Sequence, residues 1–166
     1  MIHVEPAPEP ADFDRKVRQP GQSALAELAG HAPTRKRPGP RRQPSDKIDD
    51  LPPFWRECLP QLHAAYRGVC AYLCIFIPPG VGARTADHFI AKSADRSLAY
   101  EWRNYRLACS LMNGLKGQFA DVLDPFAIED GWFVLEFSFF QVSPSPHLSA
   151  ARQGQVRATI DRLALN

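Results

Sequence analysis

The chain has 166 residues, of which 45% are hydrophobic and 23% are charged, an ordinary composition for a globular protein of one domain. A net charge of +2 is too small by itself to indicate a nucleic-acid partner. No apolar run reaches the ~20 residues that span a bilayer, and no charged segment followed by an apolar one opens the chain. Four cysteines are too few for a disulfide scaffold of this size, so we expect a cytoplasmic protein without membrane association.

Residues 1–53 differ in composition from the rest of the chain. Ten of the sixteen prolines lie before Phe54, and apolar periodicity is limited to Leu25 and Leu28, which can line a short helix over residues 23–29. We predict that 1–53 forms an extended, partly flexible basic arm beside a domain over 54–166. The basic residues of this arm are Arg35, Lys36, Arg37, Arg41, Arg42 and Lys47. They are either a solvated run or a set of phosphate contacts.

The first part of the predicted domain contains a helix and a hairpin. Apolar residues recur every four positions, which suits a helix with one buried stripe: Phe54, Cys58, Leu62 and Tyr66. Pro60 should kink or split that helix. Residues 69–77 are typical of a buried strand, residues 78–82 of a turn, and residues 84–90 of the second strand of a hairpin.

The second part of the predicted domain is mixed. Short helices are indicated around 98–102 and over 107–116, where Gly117 provides a stop. Residues 131–142 favour a strand or a tight hairpin, whose aromatic side chains either cover the core or meet a partner. These aromatic residues are Trp132, Phe133, Phe137, Phe139 and Phe140. One face of a final amphipathic helix is marked by Val156, Ile160 and Leu163.

Five polar residues form the most informative pattern in the chain: Asp87, His88, Asn104, Asn113 and Lys116. They supply a carboxylate, an imidazole, two amides and an ammonium group one helical turn after the second amide. Carboxylate and amide oxygens are hard ligands that favour Mg²⁺ or Mn²⁺. Such a set can hold a divalent cation and activate a water molecule, and a phosphodiester bond is the expected target.

Three segments that contain these residues, "TADHFIAKS", "YEWRNYRLAC" and "MNGLKG", resemble the HNH nuclease family and its ββα-metal fold. The resemblance covers residues 70–117. Two further segments, "EPADFDRKVRQPG" and "DVLDPFAIEDGWFVLEF", look like those of a bacterial subgroup of HNH proteins. The resemblance implies an α+β protein with a ββα-metal core, flanking helices and the Pro/Arg-rich N-terminal arm.

The resemblance also implies a part for each residue of the pattern. His88 would be the general base, and an imidazole suits this part because its ordinary pKa is near neutrality. Asp87 and Asn113 would hold the cation, Asn104 would fix the loop that orients His88, and Lys116 would contact a phosphate. Because neighbours in a regular strand point to opposite faces, Asp87 and His88 can converge only where the strand ends, bulges or twists.

Three cysteines raise the separate question of a structural Zn²⁺. Many HNH proteins carry two cysteine pairs, and Cys70 and Cys74 provide the first. The second would need Cys109 and position 112, which is Met112, so a Cys₄ site cannot form. The alternatives are three thiolates with an outside ligand, or three small buried residues.

The preferred hypothesis is a metal-dependent endonuclease that cuts duplex or nicked DNA. Arg103 and Arg106 flank Asn104 and can add phosphate contacts. The resemblance further suggests antiviral defence and a regulatory ATPase partner. The alternative is a non-catalytic nucleic-acid-binding or assembly subunit on the same scaffold. A third possibility is a nuclease that acts on RNA.

Overall fold

The computed structural model describes residues 1–79 and 84–166, and its regular structure consists of four α-helices and two small antiparallel sheets. In chain order these are α1 (Gln19–Leu28), α2 (Leu59–Ala65), β1 (Arg84–His88), β2 (Tyr105–Cys109), α3 (Ser110–Lys116), β3 (Phe133–Glu136), β4 (Gln141–Pro144) and α4 (Ala150–Arg162). The mixed α/β class predicted from the sequence is confirmed. Among the described residues, no helix has both the length and the apolar character needed to cross a membrane.

The N-terminal segment is helical where an extended arm is predicted. A π-helical turn over Asp14–Arg18 leads directly into α1. The apolar stripe of this helix is buried in the main core and consists of Phe13, Val17, Ala24 and Leu28. Pro20 lies in the first turn of α1, where a missing N–H is tolerated. The prediction of an extended chain is therefore wrong for residues 14–22, because an apolar stripe with helical spacing outweighs the proline. The short helix predicted over 23–29 is confirmed for residues 23–28.

Gly21 allows α1 to pack closely on the turn that precedes β2. A Cβ atom at this position would lie 2.1 Å from Cγ of Tyr100, so only glycine fits. Tyr100 ends a 3₁₀ turn over Arg96–Tyr100 and is itself buried. Helix α1 thereby fixes the backbone around Ala99, which becomes important at the site.

The segment after Pro53 follows the prediction. A 3₁₀ turn covers Phe54–Cys58, and α2 begins at Leu59 with Pro60 in its first turn. Cys58 and Leu62 are buried. The predicted split at Pro60 is confirmed. The predicted stripe is buried at Cys58 and Leu62, whereas Phe54 and Tyr66 are half-buried.

The two strands that carry the site are not the predicted hairpin. β1 pairs with β2 in antiparallel register, with Asp87 opposite Arg106 and His88 opposite Tyr105. Residues 69–77 contribute one bridge, between Val69 and Phe76, so the prediction of a strand there is wrong. Of the predicted turn over 78–82, residues 80–82 lie outside the described residues.

Helix α3 follows β2 without a linker and contacts both strands of the sheet. It ends at Lys116, and Gly117 adopts a φ of +51° that terminates it as predicted. The predicted helix over 107–116 is correct from Ser110, whereas residues 107–109 belong to β2. The order β1, β2, α3 brings the end of β1 next to the helix that carries Asn113.

The C-terminal part has a small core of its own between α4 and the β3–β4 hairpin. Its buried residues are Ile128, Trp132, Val156 and Ile160. The predicted hairpin and the predicted buried face of the last helix are both confirmed. Phe137, Phe139 and Phe140 at the hairpin tip are 74–77% exposed, so these three side chains do not cover the main core.

Candidate functional site

A pocket of about 320 Å³ lies at the end of β1, beside the loop that follows it and α3. Three of the predicted site residues line this pocket: Asp87, His88 and Asn113. β1 ends at His88, which meets the condition under which adjacent strand residues can face one site. The pocket therefore brings together the carboxylate, the imidazole and one amide of the pattern.

His88 is buried, and its ring is held on several sides. Its Nε2 lies 2.9 Å from the backbone oxygen of Ala99, so Nε2 carries the proton and Nδ1 is free to accept one. The rings of Trp55 and Tyr105 pack edge-on against it, with centroids 4.8 and 5.0 Å away. Burial, assisted by the charge of Lys92, lowers the pKa of His88 to about 3, so the imidazole is neutral near pH 7.

The low pKa of His88 predicts that acid destabilises the metal-free protein. Below pH 6.5 the unfolded chain binds a proton that the folded protein excludes, so stability falls as pH falls. The loss is about 1.4 kcal/mol per pH unit, or about 2 kcal/mol between pH 6.5 and pH 5. Urea unfolding in EDTA at a series of pH values measures it, and His88→Ala should flatten the dependence.

Asp87 has the opposite effect on the pH dependence of stability. The wild type must therefore be compared with His88→Ala. Burial raises the pKa of Asp87, although Lys116 and the Tyr72 hydroxyl oppose the shift. In the window above its ordinary value of 3.8, the folded protein binds more protons at Asp87 than the unfolded chain does. A wild type and a His88→Ala variant with equal slopes between pH 5 and pH 6.5 would contradict the assignment to His88.

Both oxygens of the Asp87 carboxylate have partners. The Tyr72 hydroxyl donates to Oδ2 at 2.5 Å, and Lys116 Nζ lies 3.3 Å from Oδ1. Lys116 also donates to the backbone oxygen of His88 at 3.0 Å. The carboxylate is thus fixed in orientation and balanced in charge before any ligand arrives.

Lys116 does not have the phosphate-binding role predicted for it. Its side chain is fully buried and directed at Asp87, so it does not reach a phosphate outside the pocket. The helical spacing with Asn113 is correct, but the long side chain turns into the sheet. Lys116 is therefore a positioning residue for Asp87 and for the end of β1.

Asn104 makes the contacts expected of a residue that fixes the loop. Its Nδ2 donates to the backbone oxygens of Ile90 and Leu98, and its Oδ1 accepts from the Ile90 N–H. These bonds join the two ends of the loop after β1. Because Ala99 is the next residue after Leu98, Asn104 helps to place the carbonyl that holds His88.

Arg106 does not have the phosphate-binding position predicted for it. It is 4% exposed, and its guanidinium makes two hydrogen bonds to the Asp124 carboxylate, at 2.8 and 2.7 Å. The same group stacks on Phe126, 3.5 Å from the ring centroid. Arg106 is thus a structural ion pair, whereas the neighbouring Arg103 is exposed.

Part of the basic run also has an internal role. Arg37 Nε and Arg42 Nη1 lie 3.3 and 2.6 Å from Oε2 of Glu27, which is buried in α1. These two arginines balance a buried carboxylate, so the run holds its own loop against the helix. The four further members of the run are exposed: Arg35, Lys36, Arg41 and Lys47.

The three cysteines of the alternative zinc site differ in exposure. Cys70 is buried, Cys109 is half-buried and Cys74 is exposed. Burial raises the pKa of the Cys70 thiol, which disfavours the thiolate that zinc requires. Over residues 1–79 and 84–166, no three or more Cys, His, Asp or Glu side chains are grouped so that they could hold a metal ion.

Three residues that matter to the site are absent from the sequence-based set: Trp55 and Lys92, which line the pocket, and Tyr72, which donates to Asp87. Tyr72 lies in a segment predicted to be buried, and a buried hydroxyl needs a polar partner, which is the signal that could have indicated it. Trp55 and Lys92 are distant from each other in sequence, and no spacing links them. Their contact arises only because the turn before α2 packs against the loop after β1.

Comparison with known proteins does not assign this chain to a family. No protein-family model matches the chain, and a search of curated proteins finds no match. The similarity to HNH nucleases therefore stays a prediction from the three motif segments.

Proposed function

We propose that the protein is a metal-dependent endonuclease that hydrolyses DNA phosphodiester bonds. The observation that carries this proposal is that Asp87 and His88, at the end of β1, line one pocket with Asn113 from α3. The order β1, β2, α3 supports it as well.

His88 is unprotonated, as a general base must be, although a pKa of about 3 makes it a weaker base than an ordinary imidazole. Its ring is neutral and its Nε2 donates a hydrogen bond to the backbone oxygen of Ala99. Its Nδ1 can therefore take a proton from a water molecule. The water oxygen then bonds to phosphorus while the bond to the 3′ oxygen breaks. The departing 3′ oxygen takes a proton from solvent, which leaves a 5′ phosphate and a 3′ hydroxyl.

Asp87 and Asn113 suit a sparse magnesium or manganese site. A carboxylate has about four lone-pair positions, and Tyr72 and Lys116 use two of those at Asp87. Mg²⁺ is commonly held by one or two carboxylates together with substrate phosphate and water. The cation, when bound, would stabilise the negative charge that develops on the phosphate.

The same carboxylate also favours a second candidate function. Asp87 is 1% exposed and already paired with Lys116. Burial with a charged partner is typical of a carboxylate that has a purely structural role. On this alternative the protein is a non-catalytic nucleic-acid-binding or assembly subunit. The exposed basic residues of the N-terminal segment and Arg103 would then supply the affinity.

Nicking of supercoiled plasmid, with Mg²⁺ or Mn²⁺ and with EDTA, tests the proposal. We expect cutting by the wild type with either cation and none in EDTA. Asn113→Ala should lose cutting because it removes a cation ligand, whereas Asn113→Asp, which keeps an oxygen ligand, should retain part of it. Asn113 is half-buried, so neither change should unfold the protein.

The outcomes separate the alternatives. A wild type that binds DNA but does not cut with either cation would favour the non-catalytic subunit. Cutting of a single-stranded or structured RNA, with no cutting of plasmid, would keep the chemistry and change the substrate.

A further inference from the structure

Lys92 lies in the loop after β1, and its ammonium group is directed into the same pocket. Nζ lies over the face of Trp55, 4.9 Å from the ring centroid. The edge of that indole also packs against the His88 ring. Lys92 is therefore held in place beside the predicted general base.

The ammonium group of Lys92 differs from that of Lys116 in its partners. Within the part of the chain that the structure describes, no carboxylate lies within 4.0 Å of Lys92 Nζ, and no hydrogen bond to it is formed. Lys116 has both a carboxylate and a carbonyl oxygen. Lys92 Nζ is not among the fully buried polar atoms without a partner, so water reaches it, and a phosphate oxygen can replace that water with a charge-assisted hydrogen bond.

The electrostatics of the pocket favour an anion at this point. Burial lowers the pKa of Lys92, which means that its charge is poorly solvated in the free protein. The charge of the buried Lys116 acts in the same direction, whereas Asp87 and Asp49 oppose it. Lys116 already balances Asp87, so the charge of Lys92 is available to a ligand.

We propose that Lys92, held over Trp55, binds a non-bridging phosphate oxygen of the nucleic-acid strand that enters the pocket. The proposal rests on the proposed function, because it takes the ligand to be the phosphodiester next to His88. An ammonium group suits this part because it is a compact charge with three donors that phosphate oxygens accept. Trp55 leaves the ammonium group able to turn its donors to the ligand while it holds the stem in place.

Binding of a fluorescent DNA duplex in EDTA, at a series of salt concentrations, tests this contact without any cutting. We expect Lys92→Met to weaken binding to all sequences alike and to reduce the salt dependence by about one phosphate contact. Methionine keeps an aliphatic stem on Trp55, so the fold should survive. Lys92→Arg keeps the charge and should keep the wild-type salt dependence.

Lys16→Met is the matched control, because it removes the same charge from a different surface. Lys16 pairs with Asp12 at the start of the N-terminal helix. Its variant should bind DNA with an unchanged salt slope. The phosphate contact would be refuted if Lys92→Met kept the wild-type salt slope. It would also be refuted if Lys16→Met reduced DNA affinity and the salt slope as much as Lys92→Met does.

The cutting assay distinguishes this failure from failure of the proposed function. A wild type that cuts, together with an unchanged slope in Lys92→Met, refutes the contact alone. A wild type that never cuts, together with a reduced slope in Lys92→Met, refutes the enzyme and retains the phosphate site. A wild type without measurable DNA binding refutes both.

Discussion

His88→Ala is expected to cut supercoiled plasmid at least a hundredfold more slowly than the wild type, with DNA binding retained. A positioned general base contributes about 10²–10⁴-fold to a rate, and His88 is the neutral imidazole of the pocket. Single-turnover nicking rates with Mn²⁺, together with duplex binding in EDTA, measure the two effects separately.

His63→Ala provides a closely matched control. His63 Nε2 lies 2.8 Å from the backbone oxygen of Ile77, and its ring packs edge-on against Phe76. It is thus a second histidine held by a carbonyl and an aromatic ring, and it is not among the residues that line the pocket. Equal losses of cutting in the two variants would show that His88 acts through the fold rather than as a base.

The position of His88 depends on residues far from it in sequence. The Ala99 carbonyl that holds the ring belongs to the turn that ends at Tyr100, and Tyr100 packs on Gly21 of α1. On the other side, Asn104 holds the backbone of Leu98. The N-terminal helix is therefore part of the support of the site, not an appendage beside it.

Local patterns predicted the elements whose signal is local. The stripe that includes Cys58 and Leu62, the stop at Gly117 and the last helix all appear as expected, because each depends on spacing or on a terminator. Three of the residues that line the pocket, Asp87, His88 and Asn113, were also predicted, because they lie in the motif segments.

The misassigned elements are those that depend on tertiary contacts. Residues 107–109 form a short apolar run, and such a run cannot be assigned to strand or helix from its periodicity. The predicted partner of β1 was also wrong, because strand pairing joins segments that are distant in sequence. Lys116 and Arg106 were predicted to contact phosphate, but the carboxylates that hold them are 29 and 18 positions away along the chain.

The buried pair of Asp87 and Lys116 is expected to produce the largest stability effect in the protein. Lys116 is fully buried, and Lys116→Met would leave the Asp87 charge with only the Tyr72 hydroxyl as a close partner. Removal of one member of a buried pair typically costs about 3–5 kcal/mol, a large part of a typical unfolding free energy. Urea unfolding near pH 7 measures the loss.

A double variant shows whether that cost comes from the unpaired charge. Asp87→Asn combined with Lys116→Met removes both charges, so it should lose less stability than the sum of the two single variants. The partly exposed pair of Lys16 and Asp12 is the reference, and Lys16→Met should cost no more than about 1 kcal/mol. Additive losses in the double variant would mean that the two side chains contribute by packing alone. The carboxylate would then titrate without affecting its neighbour, although the two groups lie 3.3 Å apart.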